Sequence, residues 1–352
     1  MKLQDYLDQF TTTSHLADQE GDGTVRCLAC AHTCRLKPGQ RGICKIRFNQ
    51  DGELQVPWGY VSSLQVDPIE KKPFYHFLAG AEALTFGMLG CNLQCDFCQN
   101  WLTSQALREA GTEGLTEYIQ RISPQDLVAY GLQRRAEVVA SSYNEPLITS
   151  EWAFDVFQEA VRAGLRGVYI SNGFATAAVL DFLRPVLSGF KVDLKSMQAD
   201  HYRELGGGLE SVLDSIAYAV QLGLWVEVVT LLVPGFNDSA DELRDLARFI
   251  QSVSPGIPWH VTAFRPEYKR RETPRTTPRQ ITQAVEIGYE EGLQYVYGGN
   301  LPGSLGKYED THCHNCQALL IKRWGFSVQQ YRITGDGKCP DCGALIPGVW
   351  RS

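Results

Sequence analysis

Leu84-Thr85-Phe86-Gly87-Met88-Leu89-Gly90-Cys91-Asn92-Leu93-Gln94-Cys95-Asp96-Phe97-Cys98-Gln99-Asn100 is the stretch from which this chain can be read. Its first part, residues 84–88, is a short apolar run of the kind that forms a buried parallel strand. Three cysteines at C-x3-C-x2-C spacing follow directly. Three thiolates on one tight loop can hold three irons of a cubane and leave the fourth iron to an outside ligand. Closed structural sites use four protein ligands. A three-cysteine zinc site completed by a distant His, or an incomplete structural cluster, are the competing readings.

Similar apolar runs recur downstream at residues 137–141, 167–171, 190–194, 225–232, 259–264 and 294–297. Between them lie amphipathic segments with helix start signals: Ser123-Pro124, Thr149 or Ser150, Asp238 or Ser239, and Pro278. Strands alternating with helices predict an α/β fold, a parallel sheet curling into a partial (β/α)6-type TIM barrel. A doubly wound open sheet is the competing architecture. Either fold puts its chemistry at the carboxyl ends of the strands. The core is expected over residues 81–303, flanked by a cysteine-bearing module at 1–80 and another at 304–352.

With 352 residues, the chain has room for a barrel-sized domain and small attachments. Its net charge of −7 argues against broad binding to nucleic acid or anionic membrane. No apolar run approaches the roughly 20 residues needed to span a bilayer. The first ten residues carry Asp5 and Asp8 and no apolar core of a secretory signal, so a cytoplasmic protein is expected. In that reducing compartment eleven cysteines read as metal ligands rather than as disulfides.

The strand ends carry polar groups. Ser142-Tyr143-Asn144-Glu145-Pro146 follows the second strand, where Glu145 is a candidate ligand contact or a helix cap. Ser171-Asn172-Gly173 follows the third and reads as a ribose contact or a plain turn. Asp193 and Lys195 end the fourth and share a face by strand alternation, as a ligand-binding couple or a structural ion pair. His260 lies in the sixth, and Gly298-Gly299 ends the last, where small residues could admit a flat ligand. Gly206-Gly207-Gly208 reads as a linker. The basic run of Arg265, Lys269, Arg270, Arg271 and Arg275 reads as a solvated loop, or as a mouth for an acidic substrate.

The C-x3-C-x-aromatic-C pattern, with Phe97 at the aromatic position, resembles the signature of the radical S-adenosylmethionine (radical SAM) superfamily. The resemblance implies a [4Fe–4S] cluster on Cys91, Cys95 and Cys98 that chelates S-adenosyl-L-methionine. Reduction would then give a 5′-deoxyadenosyl radical. It also implies cofactor contacts from Phe97, Asn144, Glu145, Ser171, Asn172, Asp193, Lys195 and His260. Glu145-Pro146 matches the end of the family's Gly-Gly-Glu-Pro motif, with Tyr143 and Asn144 in place of the glycines. Asp193-Leu194-Lys195 and His260 resemble elements of the enzymes that activate glycyl-radical enzymes. An electron donor such as flavodoxin or ferredoxin is implied, and a protein or small molecule as substrate. An iron–sulfur electron carrier or a zinc-stabilised scaffold is the alternative.

Four cysteines lie on either side of the core. Cys313-x2-Cys316 and Cys339-x2-Cys342 have the spacing of a zinc ribbon; a rubredoxin-type iron site is the competing reading, and His312 or His314 could replace a thiolate. Cys27-x2-Cys30-x3-Cys34-x9-Cys44 also offers four thiolates, for an auxiliary [4Fe–4S] cluster or for zinc. The order of motifs, including Asp67-Pro68-Ile69-Glu70-Lys71-Lys72-Pro73 and the ending Ile346-Pro347-Gly348-Val349-Trp350, resembles the AmmeMemoRadiSam-system radical SAM proteins. That resemblance implies Memo-like and AMMECR1-like partners.

Overall fold

Seven short runs of Val, Ile, Leu and Phe become parallel strands because helices cover one face and a packed interior fills the other. The computed structural model describes residues 2–351; the outer limits of the two expected modules, residues 1 and 352, lie outside the described residues. The strands are β1 (Glu82–Gly87), β2 (Val138–Ser141), β3 (Arg166–Ser171), β4 (Leu187–Asp193), β5 (Trp225–Leu232), β6 (Trp259–Ala263) and β7 (Val296–Gly299). Six crossover helices join them: α1 (Pro124–Gln133), α2 (Ser150–Arg162), α3 (Ala177–Leu183), α4 (Leu209–Gln221), α5 (Ala240–Val253) and α6 (Pro278–Glu290).

Each core strand pairs in parallel with the next in sequence. A doubly wound sheet reverses its strand order at a switch point. This sheet does not, so its crossovers wind one way and curl it into a partial barrel. An antiparallel strand, Ser63–Pro68, adds to the free edge of β1. It and β7 end the sheet without pairing to each other.

The expected helix starts are occupied. Ser123 Oγ accepts from Asp126 N at 3.0 Å, and Thr277 forms a capping box with Gln280. Gly206 to Gly208 lead into α4, with Gly208 at its N-cap position. The last strand sits two residues later than expected. Leu305, Ile281 and Thr262 pack where side chains on Gly298 and Gly299 would lie. The space those glycines leave is thus filled by this chain, not kept for a ligand.

The ends of the barrel are closed differently. At the amino ends of the strands, Phe74 and Phe77 pack with Ala83, Val138, Ala140 and Val168. The Glu227 carboxylate there accepts from the backbone N–H groups of Tyr75 and His76, both at 2.9 Å. The C-terminal module docks beneath, through Arg323 against Glu70 at 3.7 Å, both fully buried, and through Val349 paired with His76 and Leu78. The N-terminal residues form two small three-stranded sheets whose Val25, Leu54 and Val56 join the same apolar core as Leu84 and Phe86. Among the described residues, no helix is long and apolar enough to cross a membrane.

Candidate metal centre and cofactor site

The cysteine loop leaves β1 through two tight glycines. A Cβ on Gly87 would lie 2.6 Å from Ser142 O, and Gly90 has φ +96°. The Arg108 guanidinium then gathers three carbonyls, Cys91 at 2.9 Å, Leu93 at 3.1 Å and Ile43 at 2.8 Å. Such convergence on charged donors holds a loop whose own backbone bonds are few. The basic run lies across this loop. Lys269 N and Arg270 N donate to Asp96 O, and Arg270 Nε to the Asp96 carboxylate. Arg270 is therefore not a solvated cation; its guanidinium also lies 4.7 Å from the Phe236 ring and 5.5 Å from that of Phe97. Lys269 meets Glu109, while Arg271 and Arg275 remain exposed.

The sulfurs face polar hydrogens, as thiolates require. Cys91 Sγ accepts from Leu93 N at 3.4 Å and lies 3.9 Å from Asn172 Nδ2, and Cys98 Sγ lies 3.1 Å from Ser104 Oγ. Burial pushes the Cys95 thiol up to about 12, against the pull of the Lys195 charge. A bound cation reverses this, because ligation removes the proton. Phe97 packs on Phe236 with ring centres 5.5 Å apart.

The next strand ends answer this loop. Glu145 accepts from Ser171 Oγ at 2.7 Å, Asn172 N at 2.8 Å and Leu147 N at 3.1 Å. It is both a helix cap and a buried carboxylate, pushed up to about 7 by burial against those three donors. Asn172 Nδ2 donates to Asn92 Oδ1 at 2.7 Å. Asn144 is spent locally: its Oδ1 accepts from Met88 N and its Nδ2 donates to Glu145 O. Asp193 lies between Lys191 Nζ at 2.5 Å and Lys195 Nζ at 3.6 Å. Burial would raise its pKa, but the two ammonium groups hold it below the usual carboxylate range.

Glu145, Ser171, Asn172, Asp193 and Lys195 thus share one mouth with the three cysteines. His260 is placed otherwise. It is the second residue of β6, packed against Tyr75 and Tyr297, with Nε2 donating to Glu227 at 2.6 Å. Asn92, Ser104, Arg108 and Lys191 belong to the site without having been singled out from the sequence. Asn92 sits in the x3 spacer, where its position beside Cys91 is the only signal.

The flanking sets differ in spacing. Cys313 and Cys342 sulfurs are 3.6 Å apart, as are Cys316 and Cys339, and all four lie within 4.8 Å of one another. Four thiolates 2.3 Å from one zinc ion sit about 3.8 Å apart. His314 is not part of this group; its Nδ1 meets the Tyr295 hydroxyl. Among the described residues no other trio of His, Cys, Asp or Glu is gathered so tightly, so the central and N-terminal sulfurs are both spread wider.

The chain is similar to several known proteins. The family model for the Radical SAM superfamily matches residues 86–250. An uncharacterized protein of Methanocaldococcus jannaschii is 36% identical over 329 residues, covering 92% of this chain and 96% of its own. The pyruvate formate-lyase-activating enzyme of Clostridium pasteurianum is 24% identical over 168 residues, 47% of this chain and 67% of that enzyme. A crystallised domain of pyruvate-formate lyase-activating enzyme from Bacteroides vulgatus superposes with a TM-score of 0.40 at 20% identity, over 46% of this chain and 98% of the domain.

Proposed function

This chain belongs to the radical SAM superfamily, and from that premise we propose that Cys91, Cys95 and Cys98 hold a [4Fe–4S] cluster that binds S-adenosyl-L-methionine through its open iron. The donor set fits the group: three thiols on one loop, Cys95 buried and Cys91 and Cys98 part-buried, spread wider than a single-ion site, with an N–H directed at Cys91 Sγ and an O–H at Cys98 Sγ. The chemistry supplied by the bound group is one-electron reductive cleavage of the sulfonium, giving methionine and a 5′-deoxyadenosyl radical that abstracts hydrogen from a substrate.

The chain's own part is to bind, orient and exclude water. Lys195, beside Cys95 and held cationic by Asp193, takes the methionyl carboxylate. Glu145, its oxygens aimed by Ser171 and Asn172, faces the methionyl ammonium. Ser171 and Asn172 approach the ribose, and Phe97 with Phe236 walls the mouth. His260 and Asn144 are committed elsewhere and support these groups rather than touch the cofactor. A single tetrahedral ion suits the C-terminal module, with zinc favoured over iron by its ribbon spacing and supported by its 3.6 Å sulfur pairs.

The substrate is a protein glycine loop, as for activating enzymes, or a small molecule. A reductant of flavodoxin or ferredoxin type serves either case, and Memo-like and AMMECR1-like partners rest on motif order alone. The observation that carries the reading is the Cys91 to Cys98 loop facing Glu145, Asp193 and Lys195 across one mouth. Its test is release of 5′-deoxyadenosine and methionine by the reduced, reconstituted protein, abolished in Cys95→Ala. An electron carrier or zinc scaffold would release neither.

A further inference from the structure

Cys27, Cys30, Cys34 and Cys44 have no role in the reaction above, yet their surroundings are built as for anionic sulfur. Backbone N–H groups are directed at every one of them: Ala29 at Cys27, His32 at Cys30, Ile43 at Cys34, and Ile46 and Arg47 at Cys44. The Arg47 guanidinium lies 3.8 Å from Cys27 Sγ. Such donors surround thiolates that bind metal. Among the described residues no three of these sulfurs gather within 4.8 Å, unlike the ribbon's four. Thiolates on one zinc sit about 3.8 Å apart, so the wider spacing suits ligands on separate irons.

This set is also pressed against the central loop. A Cβ on Gly90 would lie 3.3 Å from Cys44 O, and Arg108 joins Ile43 O to Cys91 O. His32 Nε2–H donates to Asn92 O at 2.9 Å. The Asn92 side chain stands between the two groups. Its Oδ1 accepts from Asn172 and lies 3.8 Å from Cys91 Sγ. Its Nδ2 is fully buried with no acceptor in bonding distance, and it lies toward the Cys30 sulfur. A buried amide donor left unpaired is destabilising. A negatively charged sulfur on the Cys30 side supplies the missing acceptor.

We propose that Cys27, Cys30, Cys34 and Cys44 hold a second iron–sulfur cluster, that Asn92 Nδ2 donates to its Cys30 thiolate from the Cys91 loop, and that electrons enter the enzyme there. The proposal rests on the reading of Cys91, Cys95 and Cys98 as cluster ligands. One electron from a low-potential one-electron donor is taken up at the N-terminal set and passed to the central set. The donor is left oxidised by one electron and the N-terminal set returns to its starting state. No bond forms or breaks, and no proton needs to move. Cys34 is half-buried where the other three are buried, and Ile43 beside it is 40% exposed, so a donor has a surface to meet.

Iron and zinc are counted in the anaerobically reconstituted full chain. The proposal expects about eight irons and about one zinc, and about four irons left in the triple variant Cys91→Ala/Cys95→Ala/Cys98→Ala. About four irons with about two zincs in the unaltered chain overturns it and leaves the reading of the central cysteines standing. A triple variant that keeps its full iron count overturns both readings. Asn92→Leu should keep about eight irons while moving a cluster's midpoint potential, because hydrogen bonds to sulfur tune it; an unchanged potential removes Asn92 from the path.

Discussion

Arg270 Nε lies 3.0 Å from Oδ1 and 2.8 Å from Oδ2 of Asp96, the residue between Cys95 and Phe97. A loop some 170 residues away in sequence is thereby latched onto the cysteine loop. The pair is part-exposed, with side chains 20% and 41% accessible, so its worth to global stability is about 1 kcal/mol or less. Its effect is local. Arg270→Ala should leave the thermal midpoint almost unchanged but speed the loss of iron to a chelator severalfold. Iron retention equal to the unaltered protein would show that the latch does not guard the loop.

Lys195 is a cation whose charge acts on both Cys95 and Cys98 in the mouth. Lys195→Met removes its charge while keeping its length. Affinity for S-adenosyl-L-methionine, followed by equilibrium binding, should fall by about tenfold or more, equivalent to about 1.4 kcal/mol. Iron content should not change, which separates a cofactor contact from a structural ion pair with Asp193.

His76 gives stability a pH dependence with a definite sign. Its Nδ1–H donates to Pro347 O and its Nε2 accepts from the Tyr297 hydroxyl, both at 2.6 Å, so the neutral ring fits. Burial pushes its pKa down to about 4, against about 6.5 in the unfolded chain. The unfolded state therefore binds the proton first as pH falls. Stability is full above pH 6.5 and declines towards pH 4, by up to roughly 3 kcal/mol from this group. His76→Gln should make the decline between pH 6.5 and 4.5 shallower in denaturant titrations; an unaltered slope would assign it elsewhere.

Arg47 and Glu151 form an ion pair with side chains 1% and 3% exposed. Arg47 also donates to Ile148 O at 2.8 Å. Removing one partner strands a buried charge, so Glu151→Ala should cost about 3–5 kcal/mol in unfolding free energy. The double variant Arg47→Met/Glu151→Leu should recover much of that loss. A double variant as unstable as the single would mean that packing, not charge, is what Glu151 supplies.

Much of the core was legible because buried parallel strands are apolar throughout: residues 225–232 were bounded as they stand, and the other strands to within a few residues. The competing doubly wound sheet could be excluded only by strand order, which periodicity does not carry. Cys91, Cys95 and Cys98 stood out because of their C-x3-C-x2-C spacing, and their role as cluster ligands is part of the proposal. Within the basic run Arg270 departs from the solvated reading, because charge alone does not reveal that Asp96, far away in sequence, receives it. For the same reason Lys191, Arg108 and Asn92 were passed over, since each acts through a partner that only folding brings near. His260 was matched by resemblance to a cofactor contact, yet it is the second residue of its strand and turns to Glu227.

The proposed open iron on Cys91, Cys95 and Cys98 is tested most directly by product analysis. The reconstituted protein is reduced under anaerobic conditions with S-adenosyl-L-methionine, and 5′-deoxyadenosine is quantified. Formation of 5′-deoxyadenosine and methionine in equal amounts, absent in Cys95→Ala, is the predicted result. A fully iron-loaded protein that leaves S-adenosyl-L-methionine intact would contradict it.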